Sequence, residues 1–84
     1  MWKRYYFGVR EDQDITPDDE GMELPTLEAV QAEAAVALAE MAKDTVRNRP
    51  DRAGHQMAIA VRDNDGPVLQ VEFTLVVIRH RNEA

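Results

Sequence analysis

The sequence contains no cysteine and no serine. The first absence excludes disulfides, thiolate zinc sites, iron-sulfur clusters and cysteine nucleophiles, and leaves the redox compartment unmarked. The second removes the commonest hydroxyl nucleophile, so that only Thr16, Thr26, Thr45 and Thr74 carry an aliphatic hydroxyl. His55 and His80 are the only imidazoles, and neither has a Cys, a Ser or a second His at ligand or triad spacing. Each is expected to be structural or solvent-facing. Apolar runs fall far short of the roughly 20 residues that cross a bilayer, and no cationic start leads into an apolar signal segment. These gaps point to a cytoplasmic chain that is not an enzyme, needs no cofactor or metal, and has no membrane partner.

What remains is globular in composition. With 44% hydrophobic and 31% charged residues, the chain carries enough apolar surface to fold, and 84 residues suffice for one core. A single domain over residues 1–84 is expected. The net charge of -6 argues against phosphate backbones and anionic lipid as partners. The positive charge gathers at Lys3, Arg4 and Arg10, at Arg47, Arg49 and Arg52, and at Arg79 and Arg81.

Along the chain, Trp2 to Arg10 reads as a strand with Tyr5, Phe7 and Val9 on its core face and Arg4, Tyr6, Gly8 and Arg10 on the other. The run EDQDITPDD, with Pro17, reads as an exposed acidic loop in which Asp12, Asp14, Asp18, Asp19 and Glu20 are solvated. Its spacing fails the calcium-loop pattern. Gly21 permits a reversal, and Gly21 to Leu24 forms a short strand with Met22 and Leu24 turned inward. Pro25 and Thr26 then launch a helix, Thr26 as its cap and Glu28 at the positive end of its dipole. Its apolar stripe runs through Leu27, Val30, Ala34, Leu38, Met41 and Val46, and Pro50 stops it.

Beyond a joint at Gly54, Gln56 to Arg62 alternates, with Met57, Ile59 and Val61 on one face. Asp65 and Gly66 supply a hairpin turn. The clearest period-two pattern follows, in Leu69, Val71, Phe73, Leu75 and Val77. The predicted fold is a two-layer α+β domain of order β-β-α-β-β, a small mainly antiparallel sheet covered on one face by a single long helix. Phe73 belongs to its core. The last strand, Val68 to Ile78, is longer than its hairpin partner, so its far end requires the first strand or a second copy of the molecule. On the uncovered face, Tyr6, Ala58, Ala60, Val76 and Ile78 are less polar than a solvated surface needs, which marks a candidate interaction surface.

The opening WKRYYFGVR and the stretch DDEGMELPTLEAVQAEA together resemble an uncharacterised family of short bacterial proteins, common in alphaproteobacteria. Its members begin R-Y-F/Y-F-x-V-R, continue D-x-x-G-x-E-L/F-P-x-L-E-A-A, and close on a hairpin bearing D-x-x-G. Arg4, Tyr5, Phe7, Val9, Asp18, Gly21, Glu23, Leu24, Pro25, Leu27, Glu28 and Ala29 occupy the matching positions, with Asp63 and Gly66 in the hairpin. Val30 departs from the usual Ala, as does the acidic loop ahead of Asp18. The resemblance implies stand-alone cytoplasmic domains and carries over no established activity.

The expected function is association with protein, foremost self-association as a homodimer. An antitoxin-like or regulatory partnership with a small basic protein is the alternative, suggested by small size, acidity and the strand ahead of an Ala- and Glu-rich helix. Nucleic-acid binding is a minor reading: Tyr5 and Phe7 share the core face with Val9, so only Tyr6 is free to stack on bases.

Overall fold

The computed structural model describes residues 1–50 and 53–81. Its elements are β1 (Lys3–Glu11), β2 (Asp14–Thr16), β3 (Met22–Leu24), α1 (Leu27–Asn48), β4 (Gly54–Asp63) and β5 (Gly66–Val76). The strands make one antiparallel sheet of order β2-β1-β4-β5, with β3 paired to the opposite end of β1 from β2. The α+β architecture agrees with the sequence reading. The order is β-β-β-α-β-β, however, because the acidic run includes a strand: Val9 pairs Thr16, Arg10 pairs Ile15 and Glu11 pairs Asp14. Asp12 makes the tight reversal with a φ of 54°, a conformation that Asp tolerates better than most residues. Arg52, counted among the cations, lies outside the described residues.

The helix starts where its cap requires. Thr26 Oγ1 accepts from the Ala29 amide at 3.1 Å, Glu28 occupies the first turn and Arg47 the last. Val30, Ala34, Leu38 and Ala42 are the buried helix positions. Four-residue steps advance the contact line by about 40° each, so the buried line winds around the axis and follows the twisted sheet. That winding leaves Leu27 and Val46 exposed and Met41 only partly covered, against the straighter stripe expected.

The core centres on β4, where Met57, Ile59 and Val61 are almost wholly buried beneath the helix. Tyr5 is buried with them, and Phe7, Val9, Leu24, Val71 and Phe73 pack around the cluster. Phe73 is half-buried rather than central, because β5 is the outermost strand and has no neighbour beyond it among the described residues. Met22 is also exposed, since β3 is a short fringe on β1.

The expected mismatch of strand lengths is resolved within the hairpin. β4 extends from Gly54 to Asp63, pairs with β5 from Gly54–Val76 to Asp63–Gly66, and continues through the Val77 amide to Ala53 O at 2.9 Å. The first strand does not supply that partner; it lies on the other side of β4. Asn64 and Asp65 form the turn, and Gly66 takes the positive φ, 126°, as β5 begins. A register irregularity opposite Val61 and Arg62 lets β5 carry one extra residue.

Candidate interaction surface

The helix leaves one sheet face uncovered, and pairing decides what occupies it. Tyr6 stands beside Arg62, Gly8 beside Ala60 and Gln70, and Arg10 beside Ala58 and Glu72. The Arg62 guanidinium lies 4.4 Å from the centre of the Tyr6 ring. Arg10 and Glu72 approach to 3.6 Å across Ala58, which is buried beneath them. Two of the expected surface residues are therefore corrected: Ala58 is not exposed, and Tyr6 is covered on one ring face. Ala60 and Val76 are exposed, whereas Ile78 is exposed beyond the end of β5 and is no part of the sheet. Sequence alternation identified the face correctly; it could not show that long polar side chains from neighbouring strands would fold over the small residues.

Between these polar covers lies a recess of about 260 Å³, floored by Gly8 and Ala60 and walled by Ile15, Pro17 and Pro67. Ile15 is 73% exposed. A Cβ added to Gly8 would meet only Ala60 O at 3.7 Å and Thr16 O at 3.9 Å, ordinary contacts, and Gly8 has no positive φ. Neither backbone conformation nor packing within the chain requires glycine there.

The residues expected to form a wet acidic loop divide by task. Asp18 fills the gap between β2 and β3: its Oδ2 accepts from the Phe7 amide at 3.0 Å, and its Oδ1 from the Glu20 and Gly21 amides at 3.1 and 3.2 Å. These bonds, the Phe7 amide first, hold the Asp18 carboxyl below the usual carboxylate range. Arg4 and Arg62 donate to the carbonyls of Glu20 and Asp18 from either side. Gly21, with φ 76°, has no room for a side chain: a Cβ would lie 2.9 Å from both Arg4 Cγ and Tyr5 O. Asp12 ties the reversal to β4, its backbone amide donating to Gln56 O at 2.8 Å and its carboxylate accepting from the Gln56 amide at 3.4 Å. Only Asp14, Asp19 and Glu20 are exposed side chains. The described residues contain no group of three or more potential metal-ligating acids or histidines.

At the opposite end of β1, Lys3 Nζ lies 2.8 Å from Asp63 Oδ2; the ammonium lowers the Asp63 pKa, and hydrogen bonding to Asp63 raises that of Lys3. His55 is buried on the helix-facing side of β4, with Nδ1 lacking a partner among the described residues. Its neighbour across the hairpin is Leu75. Burial agrees with a structural role, and the alternating pattern that placed Met57 and Ile59 inside would have placed His55 there too.

The outer margin of β5 differs from the rest of the sheet. Because the Val77 amide points to Ala53, alternation turns the amides of Gln70, Glu72, Thr74 and Val76 away from β4. Between Val68 and Val76 the only charged residue is Glu72. On the helix side of this margin, Ala39, Ala42, Lys43, Val46, Arg47 and Phe73 line a groove of about 450 Å³.

An open antiparallel sheet under one helix defines a small α+β domain. Residues 4–74 match the family described as Domain of unknown function (DUF6894), and the chain belongs to that family. No curated protein and no solved structure matches it. Among the described residues no helix is long and apolar enough to cross a membrane.

Proposed function

We propose that the chain is a non-catalytic cytoplasmic domain that works by protein association, with self-association as its principal mode. The observation supporting this is a set of aliphatic side chains held in water at the margins of the sheet and just past the end of β5: Ile15 is 73% exposed, Val76 69% and Ile78 75%. Removing such surface from water contributes about 25 cal/mol per Å² against the entropic cost of association. The N-terminal stretches from Arg4 to Arg10 and from Asp18 to Ala29, which resemble those of short alphaproteobacterial proteins, build the β1 margin. Light scattering across a concentration series tests it. A mass above that of one chain at high micromolar concentration is expected, and a monomer throughout would end the proposal.

A second reading, regulatory partnership with a small basic protein, is favoured by the exposed carboxylates of Asp14, Asp19, Glu20 and Glu23 along one margin. Isolation at native abundance distinguishes it, because a stoichiometric basic partner would displace the self-association reading. Nucleic acid is disfavoured further by Arg62, which occupies one face of Tyr6. A gel shift surviving physiological salt would reverse that judgement.

A further inference from the structure

The reading of self-association leaves open where two copies would meet, and the geometry points to the β5 edge. We infer that two chains join antiparallel along β5 about a two-fold axis, extending the sheet and bringing together the grooves beside Phe73. This inference rests on the proposed self-association and adds its surface and its partner, a second copy of this chain.

Three observations carry it. The first is the edge itself. Gln70, Glu72, Thr74 and Val76 direct their amides outward, and this margin has one charged residue where edge strands are ordinarily guarded by several devices. The two devices present, Pro67 and the register irregularity, sit at the hairpin end and leave the remainder free. Antiparallel pairing of the strand with itself satisfies donors and acceptors reciprocally, which an isologous contact requires.

The second is the groove. The helix leaves β3 on the far side of β1, bonds Glu11 through Thr45, and meets β5 at the groove beside Phe73. A second β5 at roughly 4.8 Å brings the partner's matching groove alongside, so that the apolar surface around Phe73 and Val46 of each chain is covered in the pair.

The third is the helix flank bordering that groove. Ala39, Ala42 and Val46 line the groove, and the small alanine side chains permit close approach. Beside an antiparallel β5 pair, this flank of each chain faces its counterpart across the two-fold axis.

The test is the mass of the intact chain and three variants, each checked for folding by circular dichroism. Thr74→Pro removes an outward amide not used by β4, and Ala39→Arg places a bulky cation on the exposed flank. Both are expected to shift the dimer to monomer, or weaken it at least tenfold, with the helix and sheet retained. Ala60→Arg, on the uncovered face, is expected to leave it unchanged. A dimer that survives Ala39→Arg, or that Ala60→Arg abolishes, overturns the β5 interface while self-association stands. A wild-type monomer overturns both. Should Thr74→Pro fail to fold, Ala39→Arg decides alone.

Discussion

The two edges of this sheet solve the same problem differently. Along β1, the neighbouring strand is broken into β2 and β3, and the interruption is filled by a side chain: the Asp18 carboxylate takes the Phe7 amide that a continuous strand would have taken. Arginines clamp the loop, and Gly21 lets it turn tightly against Tyr5 and Tyr6. Along β5, eleven residues of strand have no comparable cover among the described residues. A closed edge needs specific residues at specific positions; an open one needs only a regular strand. The varied residues of the N-terminal third and the plain alternation of the C-terminal third follow from that difference.

The closed edge is most sensitive at Gly21. Gly21→Ala should lower the unfolding free energy by roughly 2 to 4 kcal/mol, combining a left-handed backbone with contact against fixed backbone, as measured in denaturant melts. A loss under 1 kcal/mol would mean that the loop is loosely held. Asp18→Ala comes next, at about 1 to 3 kcal/mol, since it strands amides that share one carboxylate. By contrast, Thr74→Val on the open edge should fall within about 0.5 kcal/mol of zero in the monomer.

Acid sharpens the contrast. Asp18 and Asp63 are both held below the ordinary aspartate value of 3.8, so the unfolded chain binds more protons as pH falls. Their stabilisation is present above that value and is lost as pH drops through the folded values. A melting temperature nearly level from neutrality to the upper limit of carboxylate titration, then falling, is expected; Asp18→Ala should flatten part of the fall. Lys3, raised above 10.5, contributes below that value and loses its contribution only as pH rises through its folded value. A change of opposite sign is expected at Gly8. Gly8→Ala should stabilise the monomer by about 0.5 to 1 kcal/mol, because the strand interior has room for a methyl group and gains backbone stiffness. A clear loss would reveal an unrecognised constraint.

Much of the fold was legible in residue periodicity. Tyr5, Phe7 and Val9, then Met57, Ile59 and Val61, turned to the core as alternation required, and Thr26 capped the helix. The strand Asp14–Thr16 was not legible, because three exposed residues among acids carry no hydrophobic pattern and owe their conformation to β1. Asp18 was misread for a related reason: a carboxylate looks the same in sequence whether it meets water or three amides. Ala58 was placed on the right face, but Arg10 and Glu72, distant in the chain, decided that it is buried. The β5 margin had a period-two signature, yet only its pairing with β4 rather than β1 identified which edge remains free.

The sequence by itself determined the elements whose cause is local: the capped helix, the alternating strands, the glycine turns, and the lack of thiol or serine chemistry. The tertiary structure alone decided strand order, the role of Asp18, the cover over Ala58 and the open edge of β5. Local conformation depends on sterics and neighbours a few residues away, whereas edges and covered faces arise only when distant segments compete for the same backbone groups and the same water-free space.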